Sequence, residues 1–331
     1  MKRNQSLDAL KFILITLVIM GHVPLIDGLI GTGWIYKCDK FAYHTMTAIY
    51  AFHMPLFVFL SGLFTKQYKW GKQFSKSKKL ILLFLLFQSI DLAMAIIIEH
   101  KGISLRRGLT PCFALWYLVD LFYWRMMTSM LNRRYRQTTL FVSIALSLLV
   151  GYIPIGSEVG FQRFISFMPY FVVGHYYGQE ILAWMQRVKI TPPLSAAIII
   201  LLTVILICVS FNPYWLTSII RPYSNIYGSI LRLIFILYSS VLSGLILFVM
   251  SQIHKDALMS FSKYGMDTLY IYILHPYALY TTLLIWQRVD TNIGLVDMIV
   301  ITFITLFIVM LCTLTIKKIK NGTKVLLYRR T

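Results

Sequence analysis

Charge is what this chain has least of. Only 13% of its 331 residues are Asp, Glu, Lys or Arg, about half the share of a soluble domain, so water is not the solvent for most of its length. Acidic residues are the scarcest: 12 against 32 basic ones, for a net charge of +20. The four cysteines, Cys38, Cys112, Cys208 and Cys312, show no CxxC or other ligand spacing, and no metal site is predicted; a disulfide between Cys38 and Cys112 stays open. There is no Walker-type glycine loop, so no ATP site is expected. No Pro- or Ser-rich linker, soluble-length insert, internal repeat or low-complexity tract interrupts the chain, and residues 1–331 are read as one domain. No basic-aromatic soluble module is present, so the positive charge is not read as nucleic-acid binding. Its Lys and Arg sit in short connections, where they orient spans and meet anionic lipid.

What the chain has in abundance is apolar length. Hydrophobic residues make up 58% and mean hydropathy is +0.71. Runs long enough to cross a hydrocarbon core of about 30 Å recur throughout. They predict an all-α polytopic membrane protein with about ten spans, near residues 9–25, 45–64, 80–98, 112–131, 138–153, 161–179, 194–211, 227–250, 266–286 and 295–316. Lys2 and Arg3 ahead of an apolar core look signal-like. No small-residue cleavage site follows, so an uncleaved first span is expected. Assigning connections to alternate sides puts 22 basic residues on one side and eight on the other, which predicts both termini in the cytoplasm and a cell-membrane location.

The first span carries an unusual stripe. At about 100° per residue, Lys11 and His22 lie within about 20° of one another around a helix, and Asp8 within about 60° of both. A rise of ~1.5 Å per residue separates Lys11 from His22 by roughly 16 Å along the axis. Other polar groups fall inside spans, where unpaired ones face a cavity or a partner: His53, Gln88, Asp91, Asp120, Arg125, His175, Arg232, Asp267 and His275. Pro55 predicts a kink about one turn earlier, beside His53. His53 itself reads either as an interhelical hydrogen bond or as a cavity group. Ser61-Gly62 reads as a close-packing pair. Met168-Pro169 and Gly174-His175 predict a broken helix. Arg232 is read as half of an ion pair, with Asp120 as a partner. Asp267 and His275, eight residues apart, share a broad helix face. Trp116 suits an interfacial belt. Six lysines between positions 66 and 79 make an anion trap, with Lys66 and Lys69 closest to the mouth of the bundle.

These stretches resemble the membrane-bound acyltransferase 3 family, and within it the fucose 4-O-acetylase-like sugar O-acetyltransferases. The matches are Arg3 with Leu7-Asp8-Ala9-Leu10-Lys11 and the ten-residue gap to His22, Phe52-His53-Met54-Pro55-Leu56-Phe57 with Leu60-Ser61-Gly62, and Leu115-Trp116-Tyr117-Leu118. Arg163-Phe164 with Pro169-Tyr170-Phe171 follows, then Tyr264-Gly265-Met266-Asp267-Thr268-Leu269 with Ile271-Tyr272-Ile273-Leu274-His275. They run in order over nearly the whole chain. The resemblance implies a ten-helix enzyme that passes an acyl group, usually acetyl, from cytoplasmic acyl-CoA to a sugar hydroxyl of a cell-surface glycan or its precursor, lipid-linked or polymeric. It implies catalytic roles for Lys11 and His22. Lys66 and Lys69 match a basic-x-x-basic pair that is more often two arginines, and lysine meets phosphate there as a point charge. Some relatives carry an added esterase-like domain; this chain, stopping soon after its last span, is expected to lack one.

On this reading acetyl-CoA binds at Lys66, Lys69 and Lys11 and its thioester reaches His22. The imidazole then serves as general base, or as an acyl-carrying nucleophile. His53 or His275 polarises the carbonyl or holds the sugar, with Asp267 and Trp116 as further substrate-side candidates. Asp8 pairs with Lys11 or caps the helix. The rival readings are a transporter or flippase for a glycan or anionic substrate, and a non-catalytic scaffold in glycan assembly.

Overall fold

The computed structural model describes residues 4–25, 37–97, 104–154, 158–188, 191, 193–194, 196–198, 200–201, 222–253, 255–286, 288 and 292–328. The expected span 194–211 and Cys208 fall largely outside these residues, as does the Cys38 side chain. The helices, in chain order, are α1 Gln5–His22, α2 Lys40–Tyr50, α3 His53–Phe64, α4 Trp70–Ile97, α5 Leu105–Leu109, α6 Trp116–Thr128, α7 Arg136–Leu149, α8 Phe161–Arg187, α9 Gly228–Gln252, α10 Lys255–Ser262, α11 Thr268–Trp286 and α12 Leu295–Tyr328. Extended backbone among the described residues is limited to β1 Lys37–Cys38 and β2 Asn292–Ile293, paired in parallel. Among the described residues, six segments are long and apolar enough to cross a membrane: Gln5–Leu25, Lys40–Phe64, Trp70–Ile97, Gly228–Gln252, Thr268–Trp286 and Leu295–Ile319. They coincide with six of the expected spans.

The chain divides into two compact units, Met1–Met46 with His254–Thr331, and Thr47–Ile253. In the first, α1 is the central helix. Asn4 caps it, its Oδ1 accepting from the Leu7 N–H at 3.3 Å. Asp8 lies in its first turn, where a negative charge suits the helix dipole, and His22 in its last. Leu7, Leu10, Leu14, Ile15, Val18 and Ile19 are all buried, and α10, α11 and α12 pack around them. Phe12 meets Phe261 and Tyr264, with ring centroids 6.1 and 5.3 Å away. A side chain at Gly265 would strike the Asp8 carbonyl, so glycine lets the turn before α11 rest on the first turn of α1.

The second unit is built on α3 and α8, which run closely together. The chain breaks at Ala51-Phe52 ahead of α3, one turn before Pro55, where the missing N–H predicts a kink. α8 departs from expectation: it runs unbroken from Phe161 to Arg187 with Pro169 inside. Neighbours secure the turn before that proline. Trp124 Nε1 donates to the Phe164 carbonyl at 3.0 Å, and Ser147 Oγ to that of Ser166 at 2.9 Å. Gly174 does not break the helix either; it is a contact point, where a Cβ would hit the Phe59 carbonyl.

Two polar residues also differ from their reading. Arg232 does not pair with Asp120. Its Nη1 donates to the Ser147 carbonyl at 2.7 Å and its guanidinium lies over Tyr223 at 4.6 Å. Asp120 is fully buried, with neither carboxylate oxygen hydrogen-bonded among the described residues; Gly160, in the left-handed region at φ 74°, closes against it. Gln88 proves to be a structural clamp: Nε2 donates to the Thr110 carbonyl and Oε1 accepts from the Cys112 N–H, both at 2.9 Å.

Candidate active site

In the first unit, the last residue of α1 meets the middle of α11. His22 Nδ1 lies 3.0 Å from His275 Nε2, with the two rings nearly parallel at 4°. His275 is fully buried, while His22 is partly exposed. The far nitrogen of His275, Nδ1, lies 3.3 Å from the Ile271 carbonyl. α11 carries Pro276 immediately after the histidine. Proline supplies no N–H to the carbonyl one turn back, that of Tyr272.

The opposite end of α1 holds the charges. Lys11 Nζ pairs with Asp8 Oδ1 at 2.6 Å. Asp267 lies just ahead of α11, in contact with Lys317 Nζ through both oxygens at 2.6 Å. Gly265 against Asp8 brings these two ion pairs to one end of the unit. Eleven residues of helix separate Lys11 from His22 by roughly 16 Å, so the structure does not bring Lys11 to the imidazole pair. Asp267 and His275, read as sharing a face, serve separate places: an ion pair and an imidazole contact.

The second unit holds the other candidates. His53 is buried, its Nδ1 2.7 Å from the Ile49 carbonyl, and Tyr50 meets it edge-on at 4.7 Å. Trp116 stacks on Phe167 at 5.6 Å and carries the Arg163 guanidinium over its ring at 4.9 Å. Tyr117 shares a hydrogen bond with Ser61. Lys66 and Lys69 are exposed in the turn between α3 and α4. Gln67 Nε2 donates to the Leu131 carbonyl at 2.6 Å, fixing that turn beside Arg133, Arg134 and Arg136. Arg133 and Arg136 both bind Glu180. The result is one basic surface, suited to an anion with several charges.

A family model for the acyltransferase domain matches residues 4–317. The chain belongs to this acyltransferase family. No curated protein and no solved structure matches it. Membership makes the chain a membrane acyltransferase, with an acyl donor and an acceptor, and the apolar helices agree with it. Among the described residues no three His, Cys, Asp or Glu side chains gather as metal ligands.

Sequence reasoning named both members of the imidazole pair but not their contact, which joins positions 253 residues apart. It gave no role to Arg163 or Tyr50. The signal for Arg163 was its place in a family-like stretch; for Tyr50 there was none beyond its position three residues before His53.

Proposed function

We propose that this acyltransferase is an O-acetyltransferase, of the fucose 4-O-acetylase-like kind, moving acetyl from cytoplasmic acetyl-CoA to a sugar hydroxyl of a cell-surface glycan or its precursor. We take it as one domain in the cell membrane, with ten spans and both termini cytoplasmic. The observation that carries the reading is the His22–His275 pair at 3.0 Å in a chain of this family.

The chemistry follows from the groups. A sugar hydroxyl ionises far above neutral pH and needs a base to attack a thioester. Neutral imidazole suits that task and general base catalysis is worth roughly 10²–10⁴-fold. His22 takes the hydroxyl proton as the oxygen adds to the carbonyl carbon. The C–S bond then breaks, and the leaving thiolate takes that proton back. Exchanging a thioester for an oxygen ester runs downhill, so no ATP is required. Lys66 and Lys69 supply charge for the phosphates of CoA. Trp116 and His53 are kept as acceptor-side candidates, and Asp8 and Asp267 as supports of the charged end of α1.

The test uses the full chain in lipid nanodiscs with radiolabelled acetyl-CoA and glycans from the host membrane. Label is expected in glycan with wild type, and loss of at least about 100-fold with His22→Ala while the variant still inserts and melts normally. Glycan crossing the membrane unaltered, with no label incorporated, would establish a transporter instead.

A further inference from the structure

We infer that His275 is a positioning residue that sets the tautomer of His22, leaving the Nε2 edge of His22 to receive the hydroxyl proton. This rests on the acyl-transfer reading above and adds to it which nitrogen reacts and why a second histidine stands behind the first.

The argument runs along three atoms. A carbonyl oxygen only accepts hydrogen bonds. His275 Nδ1, 3.3 Å from the Ile271 carbonyl and fully buried, therefore carries the proton of that ring. The lone pair of a neutral His275 is then on Nε2. That atom lies 3.0 Å from His22 Nδ1. Two nitrogens at that distance need one proton between them, and His22 Nδ1 must supply it. A neutral His22 then has its own lone pair on Nε2, on the far side of the ring from His275. Because His275 is buried and His22 is partly exposed, His22 is the member a substrate can reach.

The same arrangement serves the charged intermediate. Once His22 has taken the hydroxyl proton on Nε2 it is an imidazolium, and its Nδ1–H still points at a neutral acceptor. That bond becomes charge-assisted and strengthens as the charge develops. A carboxylate behind a catalytic imidazole does both jobs in hydrolytic triads, and the wrong tautomer there costs about 10⁴-fold. Here a neutral ring does them inside a membrane, where an unpaired carboxylate is expensive. The Tyr272 ring also lies beside His275, tilted against it with centroids 5.7 Å apart.

The test compares His275→Gln, whose side-chain carbonyl can accept from His22 Nδ1, with His275→Leu, which is of similar size and cannot. The probe is acetyl-CoA alone in nanodiscs with water as acceptor, read as thiol release. The Gln variant is expected within about tenfold of wild type. The Leu variant is expected to fall about 10²–10⁴-fold in kcat with KM little changed, since His275 touches His22 and not the donor. In ¹⁵N histidine spectra, His22, assigned by its loss in His22→Asn, should carry its proton on Nδ1 in wild type and on Nε2 in the Leu variant. Equal kinetic losses in two variants that both melt like wild type would overturn the proposal. So would a wild-type His22 protonated on Nε2, a result that needs no variant to fold. Absence of thiol release from wild type would instead count against the acyl-transfer reading, and the wild-type spectrum would still decide the tautomer.

Discussion

Gly62 in α3 and Gly174 in α8 each lie against the backbone of the other helix. A Cβ on Gly62 would meet the Phe171 carbonyl and the His175 nitrogen; one on Gly174 would meet the Phe59 carbonyl and the Leu63 nitrogen. Backbone cannot swing aside as a side chain can, so a methyl group at either position forces the helices apart. Gly62→Ala should lower stability by about 1–3 kcal/mol, seen as a lower melting temperature in detergent. Gly71→Ala, where a Cβ meets nothing, is the control and should leave the melt unchanged or slightly raised.

The lysines of the α3–α4 turn make a kinetic prediction. Lys66→Glu with Lys69→Glu should raise KM for acetyl-CoA several-fold and flatten its dependence on salt, with kcat largely kept. An unchanged KM would remove both residues from donor binding.

Arg232 and Tyr223 predict two separate effects. The guanidinium holds the Ser147 carbonyl and the Tyr223 ring, so Arg232→Ala should cost about 2–3 kcal/mol without altering KM for acetyl-CoA. The Tyr223 ring sits against Gly151 and Gly228, and its hydroxyl donates to the Leu148 carbonyl at 2.9 Å. Burial pushes this phenol from the usual 10.0 up to about 12, against the pull of Arg232. A raised value means that the stability it contributes is complete below about pH 10 and is lost as the pH climbs from there towards about 12. Melting curves of wild type and Tyr223→Phe should converge over that alkaline range.

The Asp267–Lys317 pair should matter little for stability. Lys317 is 42% exposed, and ion pairs of this kind contribute roughly 0.2–1 kcal/mol. Lys317→Met should shift the melt slightly, with the difference fading as salt is raised. A large, salt-independent loss would show that the pair is shielded in the folded protein.

Local signals account for what was legible in the sequence. Run length and hydropathy locate the six apolar helices, and the missing N–H of Pro55 locates the break at Ala51-Phe52. Pro169 carries the same local signal and gives the opposite outcome, because bonds from Trp124 and Ser147 hold its helix together and a window of sequence does not contain them. Gly174 misleads for a related reason: lack of a side chain marks flexibility in an isolated helix and close approach in a packed one. Ion pairing was readable where it is one turn away, as for Asp8 and Lys11, and not where it is distant, as for Arg232. The His22–His275 contact belongs to the second kind. Composition marks each ring as out of place in lipid, but nothing along the chain says which helix faces which.

The order of synthesis gives the α1 ion pair a further meaning. The first unit joins the opening 46 residues to those from 254 onward. α1 is therefore made long before α11 and α12, and His22 waits through 253 residues for its companion ring. A lone ammonium would make such a wait costly. Lys11 has its counter-ion three residues away, on the same helix, so the nascent segment neutralises itself on insertion and can hold its place until α11 and α12 leave the ribosome.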